Sequence, residues 1–377
     1  MTDAFELPVT LVQALVQRAA QTPQRVALRF LADDPQQEAV LTYRDLDLRA
    51  RTIAAALQTR TAFGDRAVLL FPSGPDYVAA FFGCLYAGVI AVPAYPPESS
   101  RRHHQERLLS IIDDAEPRLL LSTSGLHDSL QALDVFAENT APQLLAVDHL
   151  DAALADTWQA PVLQADDIAF LQYTSGSTAL PKGVQVSHGN LVANEVLIRH
   201  GFGIDLNPDD VIVSWLPLYH DMGLIGCLLL SLYRGATLVL MSPRHFVERP
   251  ARWLEAISQY RATHTGAPDF AFRLAAERVN ESVLATLDLS CLRVLFSGSE
   301  PVRQDSLHAF ARHFAGTGFN PLAFLPCYGL AEATLFVSGG VRGQGIPPLS
   351  LDAGALAQNR AEPGAGSVQM SCGRSQP

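Results

Sequence analysis

One stretch of this chain concentrates groups that can hold phosphate. Thr174, Ser175, Ser177 and Thr178 set four hydroxyls around Gly176, and Lys182 follows Pro181. Hydroxyls donate to phosphate oxygens, glycine lets backbone N–H groups come close, and lysine adds a mobile point charge. The pattern is not the G-x-x-x-x-G-K-[ST] loop, because Gly183 and Val184 follow the lysine. A Ser/Gly linker carrying one lysine has the same composition. The flanks separate the two readings. Ile168–Tyr173 reads as a buried strand, Val184–Val186 as a second strand, and Ser187 as a helix cap with Asn190 in the first turn. A loop clasped between strands is expected to grip a polyphosphate.

Three other clusters have chemical potential. His220 and Asp221 adjoin in Trp215-Leu216-Pro217-Leu218-Tyr219-His220-Asp221-Met222-Gly223-Leu224. A carboxylate beside an imidazole orients the ring, so a simple structural pair is the competing reading. Phe296-Ser297-Gly298-Ser299-Glu300-Pro301 follows a strand-like run, and a plain strand-end turn competes there. Tyr328-Gly329-Leu330-Ala331-Glu332-Ala333-Thr334 offers one carboxylate in a small-residue context, with a surface glutamate as the alternative. Arg101, Arg102, His103, His104 and Arg107 form a basic group that reads first as a solvated helix start. An acidic protein partner is the second reading.

These residues need elements to position them. Leu11, Val12, Leu15, Val16 and Ala19 recur at helical spacing. Thr42 and Asp45 sit three apart, as a capping box requires, ahead of Leu46, Ile53 and Leu57. Val26–Leu31, Ala67–Phe71, Leu119–Ser122 and Leu144–Val147 read as strands, as do Asp210–Ser214, Thr237–Met241 and Leu292–Ser297. Trp253–Tyr260, Phe270–Arg278 and Asp352–Ala361 read as helical. Apolar strands separated by helices predict parallel sheets covered on both faces, an α/β fold. From Gly339 onward the chain turns rich in Gly, Pro and small residues.

Composition narrows the classes. The chain has 377 residues, 48% of them hydrophobic, with 27 Lys plus Arg against 38 Asp plus Glu and a net charge of −11. That length suits two or three lobes. The acidity argues against a nucleic-acid partner. Five widely spaced cysteines with no C-x-x-C pair argue against zinc or disulfide scaffolds, and for buried free thiols in a reducing, cytoplasmic setting. The start, Met1–Thr10, lacks a signal-peptide pattern. Tyr77–Pro97 is uncharged, yet its glycines and prolines favour a helix–strand unit over a membrane span.

The four motifs, in this order, resemble the adenylate-forming superfamily of acyl-CoA synthetases, luciferases and peptide-synthetase adenylation domains. The resemblance covers essentially the whole chain. Within the superfamily, Tyr219-His220-Asp221-Met222-Gly223 and Gly329-Leu330-Ala331-Glu332-Ala333-Thr334-Leu335-Phe336 are most similar to fatty acyl-AMP ligases. The resemblance implies an adenylate-forming N-terminal domain of two distorted parallel-sheet lobes packed with helices in layers. Approximate lobes are 1–165 and 166–338, with 339–377 an insertion-like segment and end. Val341–Ser367 falls where these ligases carry an extra segment, and Ser371-Cys372-Gly373-Arg374 resembles the resumption of the common fold. The β-barrel subdomain and small C-terminal domain are expected to be incomplete or absent.

The resemblance also implies roles. A fatty acid and ATP, with Mg²⁺, would give acyl-adenylate and pyrophosphate, and the acyl group would pass to the phosphopantetheine arm of an acyl carrier protein. Lys182 and the hydroxyls of 174–178 would hold phosphates, and Glu332 would bind Mg²⁺. His220, with Asp221, Met222 and Gly223, would line the acyl site. Ser297, Gly298, Ser299, Glu300 and Pro301 would wall the adenine, with Tyr328, Gly329, Leu330, Ala331 and Thr334 also on the nucleotide. The family's ribose-binding aspartate and second lysine are expected beyond this chain, so the isolated chain is expected to adenylate poorly. An acyl-CoA synthetase and a non-catalytic nucleotide- or acyl-binding domain are the alternatives.

Overall fold

Where short β-branched and leucine-rich runs alternate with amphipathic stretches, the chain forms strands and helices in alternation, giving an α/β fold with two sheets dominated by parallel strands. The computed structural model describes residues 8–32, 38–96, 102–131, 142–174, 181–202, 209–346, 348–364 and 366–375. Two units are present: residues 1–193 with 217–235, and residues 194–216 with 236–377.

Unit one holds β1 (Val26–Leu31), β2 (Glu38–Thr42), β3 (Arg66–Leu69), β4 (Ile90–Pro93), β5 (Leu119–Ser122), β6 (Gln143–Ala146), β7 (Ile168–Thr174) and β8 (Lys182–Ser187). Six of them form a sheet in the order β6-β5-β3-β4-β7-β8. Its neighbours run parallel except β7 and β8, which form an antiparallel hairpin. Strands β1 and β2 pair antiparallel. The core beside β3 and β5 is mostly aliphatic: Val68, Val92 and Leu120 pack with Leu108, Ile111 and Ile112 of the helix Arg102–Ala115.

Local signals account for these elements. The Asp45 carboxylate accepts from the Thr42 amide at 3.0 Å, and the Thr42 hydroxyl accepts from the Asp45 amide at 3.1 Å. This capping box stabilises the helix Tyr43–Gln58 by about 1 kcal/mol. The uncharged stretch resolves into the helix Pro75–Ala87 and β4. Gly88 ends that helix at φ 71°, and a Cβ there would strike the Phe63 ring. Among the described residues no helix is long and apolar enough to cross a membrane, and all five cysteines are free, two of them fully buried.

Unit two holds β9 (Val211–Ser214), β10 (Thr237–Met241), β11 (His264–Ala267), β12 (Val294–Ser297), β13 (Phe324–Gly329), β14 (Phe336–Gly339), β15 (Pro348–Asp352), β16 (Gly366–Met370) and β17 (Arg374–Ser375). Its main sheet runs β17-β14-β13-β12-β11-β9-β10. The strands from β10 to β13 are parallel, and β14 and β17 add antiparallel edges. The core here is aromatic. Phe310 meets Phe272 edge-on at 5.5 Å and Phe314 at 4.4 Å, and Phe272 meets Phe324 at 5.8 Å. Such pairs contribute about 1 kcal/mol each beyond area burial.

The region after Gly339 departs from expectation in one respect. Asp352–Ala361 is not a helix along its length. Asp352 caps a single turn, Ala353–Leu356, and Asn359 then takes a left-handed φ of 59°. The chain must reverse there so that β16 can pair with β15.

Candidate functional site

In unit one the phosphate-loop candidate begins and ends on a hairpin. Thr174, the last residue of β7, is the register partner of Lys182, the first of β8. The two ends of the loop are therefore fixed side by side. Ser175, Gly176, Ser177 and Thr178 lie outside the described residues. Lys182 is exposed at the strand end. Behind it, Tyr173 packs its ring 3.0 Å from the position a Cβ would take on Gly183 and donates its hydroxyl to Asp114 at 2.6 Å. Burial raises the Tyr173 phenol well above its usual range, so it stays a neutral donor. After β8, Ser187 and Asn190 exchange backbone-to-side-chain bonds, each 3.1 Å, and start the helix His188–Phe202.

The His220 segment belongs to the same unit. Gln172 on β7 donates its side-chain amide to the Tyr219 carbonyl at 2.9 Å, so one hydrogen bond ties the strand feeding the loop to the residue before His220. Tyr77 donates to the Leu218 carbonyl at 2.7 Å. His220 Nδ1 lies 2.7 Å from Asp221 Oδ1, and that oxygen also accepts from the Met222 amide. The hydrogen bond to Asp221 raises the His220 pKa against the opposing effect of burial, so the charged form persists to higher pH. The pairing leaves Nε2 available for a ligand. Next come the turn Asp221–Gly223 and a π-helical turn, Leu224–Leu229, buried throughout. π-turns concentrate at functional sites.

In unit two, the other two segments leave the C-terminal ends of adjacent parallel strands. Ser297 ends β12 opposite Pro326 of β13. Open parallel sheets bind ligands beyond such strand ends. Gly298 packs closely on its neighbour: a Cβ there would lie 3.1 Å from Cys327 Sγ, a tight contact. Ser299 follows at φ 69°, a left-handed backbone that costs a non-glycine residue on the order of 1 kcal/mol. Two carboxylates hold the segment. The Glu300 carboxylate accepts from the Phe270 amide at 2.7 Å. The buried Asp269 carboxylate accepts from the Arg303 amide and the Ser306 hydroxyl, each at 2.7 Å. Cys327 donates to the Ser297 carbonyl at 3.3 Å, and burial pushes its thiol up to about 12, which favours the neutral thiol.

The Glu332 segment is held as firmly. Leu330 donates its amide to the Leu335 carbonyl at 2.9 Å, and a 3-10 turn spans Ala331–Ala333. Thr334 takes φ 72°. Asn194 explains how the turn persists. Its Nδ2 donates to the carbonyls of Ala333 and Phe336 at 3.3 and 3.1 Å, and its Oδ1 accepts from the Phe336 amide at 3.1 Å. Glu332 and Tyr328 remain exposed, the tyrosine 52% accessible.

Residues 15–363 match the family described as AMP-binding enzyme. The chain belongs to the AMP-binding enzyme family. It is 39% identical over 354 residues to the medium-chain-fatty-acid–[acyl-carrier-protein] ligase JamA of Moorena producens, covering 93% of this chain and 60% of that protein. It is 37% identical over 367 residues to the long-chain-fatty-acid–AMP ligase FadD26 of Mycobacterium marinum, covering 95% and 62%. A fatty acid AMP ligase from Legionella pneumophila superposes with a TM-score of 0.91 at 37% identity, covering 98% of this chain and 64% of that one. A fatty acyl-adenylate ligase of the same organism, solved with acyl adenylate and pyrophosphate, gives 0.89 at 38%. The chain thus spans about three fifths of these relatives.

Sequence reasoning missed the residues that hold the segments. Asn194 and Asp269 look like ordinary helix residues until tertiary structure is known. Gln172 left one signal, an amide within an otherwise apolar strand.

Proposed function

We propose that the protein carrying this chain activates a fatty acid as its acyl-adenylate and passes the acyl group to an acyl carrier protein. The observation that carries the reading is the pair of anchored segments at the ends of β12 and β13, in a chain of the AMP-binding enzyme family. The relatives JamA and FadD26, a fatty-acid ligase to carrier protein and one to AMP, supply the substrates of this reading.

The first step is attack of a fatty carboxylate oxygen on the α-phosphorus of ATP. A new P–O bond forms, the bond to the β-phosphate bridging oxygen breaks, and pyrophosphate leaves. Little covalent work falls to the protein, so positioning and charge stabilisation supply the rate. Lys182 and the hydroxyls of Thr174, Ser175, Ser177 and Thr178 hold the β- and γ-phosphates, with Gly176 admitting the backbone. Ser297, Gly298, Ser299, Glu300 and Pro301 wall the adenine, joined by Tyr328, Gly329, Leu330, Ala331 and Thr334. The buried anchors behind these segments suit a rigid planar group. His220, oriented through Nδ1 by Asp221, offers Nε2 beside the acyl carboxylate, and Met222 and Gly223 line the chain's entry. In the second step the phosphopantetheine thiolate attacks the acyl carbonyl and AMP leaves.

Mg²⁺ fits the residues present. No group of three metal-binding side chains occurs among the described residues. Mg²⁺ commonly takes one or two carboxylates and completes its shell with phosphate oxygens and water. Glu332, exposed on a turn that Asn194 fixes, is suited to be that carboxylate. Bound there with the triphosphate, the ion would neutralise phosphate charge. The hairpin β15–β16 is the candidate for the extra segment that distinguishes acyl-AMP ligases from coenzyme A ligases.

The test is acyl-adenylate formation by the full-length protein across fatty acids of graded length, followed by transfer to carrier protein or to coenzyme A. Adenylate with at least one acid and preferential transfer to carrier protein are expected. No adenylate with any acid would remove the reading, and equal transfer to coenzyme A would replace it with an acyl-CoA synthetase.

A further inference from the structure

An open groove of about 690 Å³ lies on unit two between the helices Asp269–Arg278 and Gln304–His313. These helices run parallel. Asp269 binds the Ser306 hydroxyl at one end, and His313 Nε2 bonds the Val279 carbonyl at 2.7 Å at the other. Ala276 and Ala309 line it with small side chains. Arg273, Arg303 and Arg312 are exposed on it. None of these three guanidiniums has a carboxylate partner among the described residues, although Arg29, Arg49, Arg51, Arg244, Arg249 and Arg360 are all ion-paired. Unpaired arginines gathered in one groove of a chain with net charge −11 mark a surface for an anionic partner.

The spacing decides what kind of anion. Arg303 precedes the first turn of the helix Gln304–His313 and Arg312 lies in its last, so about 12 Å of helical rise separates them. A single phosphate cannot span them, whereas carboxylates spaced along a protein helix can. Glu277 and Asp305 also border the groove, so the occupant must bring its acids to the arginines and leave these two carboxylates solvated. The groove adjoins the adenine-side segment, because Gln304–His313 starts just after Pro301 and Glu300 is bonded to the first turn of Asp269–Arg278. A partner seated here stands beside the segment assigned to the adenylate, where an arm-borne thiol has to arrive.

We infer that this groove is the docking surface for the acidic helical face of the acyl carrier protein. The inference rests on the reading above for the identity of the partner. It moves the carrier contact away from the basic group near His104 and Arg107, whose members Arg101, Arg102 and His103 have no described side chains.

The test uses the full-length protein and a fluorescently labelled, acidic acyl carrier protein in its apo form, with direct binding as the readout. The double variant R273E/R312E is expected to weaken binding roughly 10-fold or more, since charge reversal opposes like charges across the interface. The neutral variant R273Q/R312Q is expected to fall in between, which separates charge from misfolding. Arg118→Glu, at an exposed arginine of unit one, is expected to leave binding within about two-fold. Parent affinity should fall as salt rises. Acid-to-lysine changes on the carrier helix should restore binding to R273E/R312E. Unchanged binding in R273E/R312E, or no saturable binding by the parent protein, overturns the inference. So does loss of coenzyme A binding without loss of carrier binding, which would assign the groove to a small phosphate ligand. Fatty-acid-dependent pyrophosphate exchange is measured in parallel. If the parent binds carrier but shows no exchange, the activity falls and the docking surface stands. If exchange is robust but charge reversal leaves binding intact, the docking surface falls alone.

Discussion

The candidate segments of the two units are held in different ways. In unit two, the Ser297–Pro301 and Tyr328–Thr334 segments carry left-handed Ser299 and Thr334 and are anchored from behind by Glu300, Asp269 and Asn194. In unit one, Thr174 and Lys182 close a hairpin mouth, and the Gln172 side-chain amide ties that hairpin to the Tyr219 carbonyl, just before His220. A planar base needs a wall that does not move, because its recognition depends on shape. A polyphosphate is recognised by charge, which a long lysine on a strand end can follow. The difference matches the ligand parts proposed for each.

The contrast can be broken first by acid, which acts beneath both regions. Burial depresses His188, at the start of the helix behind β8, to about 4 and His264 on β11 to about 3. Their unfolded forms take up protons near pH 6.5, so stability is full above that value and declines as pH falls toward the folded values. At pH 5 the two together cost about 4 kcal/mol relative to pH 7.5. Urea unfolding of the parent, His188→Gln and His264→Gln across this range should show each variant losing about half of the acid sensitivity. An unchanged pH slope in both would contradict the assignment.

The anchor comes next. Asn194→Ala removes three hydrogen bonds, two of them buried, and should cost about 3 kcal/mol of stability, with a raised KM for ATP. Asn194→Asp keeps the acceptor for the Phe336 amide and should recover part of the loss. If Asn194→Ala matches the parent in both thermal unfolding and ATP KM, the account of the Glu332 turn is wrong.

Lys182→Ala should leave unfolding within about 0.5 kcal/mol, because the side chain is exposed, yet lower adenylate formation about 100-fold, near 3 kcal/mol of transition-state stabilisation. A variant that retained activity would move the phosphates elsewhere. The smallest effect is expected from Gln172→Leu, which deletes one tether. Adenylation should fall about 5-fold, near 1 kcal/mol, with stability almost unchanged.

The sequence made the motifs and most elements legible because both rest on local information. The capping box at Thr42 and Asp45, the helix–strand unit after Asp76 and the parallel strands follow from spacing and side-chain type. What was not legible is tertiary. Asn194 acts on residues 142 positions away, and nothing near it in the chain signals that partner. The all-apolar Leu224–Leu229 gives no sign that its bonds are π-type. Asp352–Ala361 has helical composition, but pairing of β15 with β16 overrides it. Gly298 reads as room for a ligand, while the structure shows Cys327 beside it.

The most direct test of the account is amide hydrogen exchange of the full-length protein with and without a non-hydrolysable acyl-adenylate analogue. Slowed exchange is predicted at Ser297–Arg303, at Tyr328–Phe336 and at Tyr219–Leu224, with the sheet interiors unchanged. Saturating analogue that leaves those three segments exchanging at the free rate, or protects only residues outside them, would contradict the central claim.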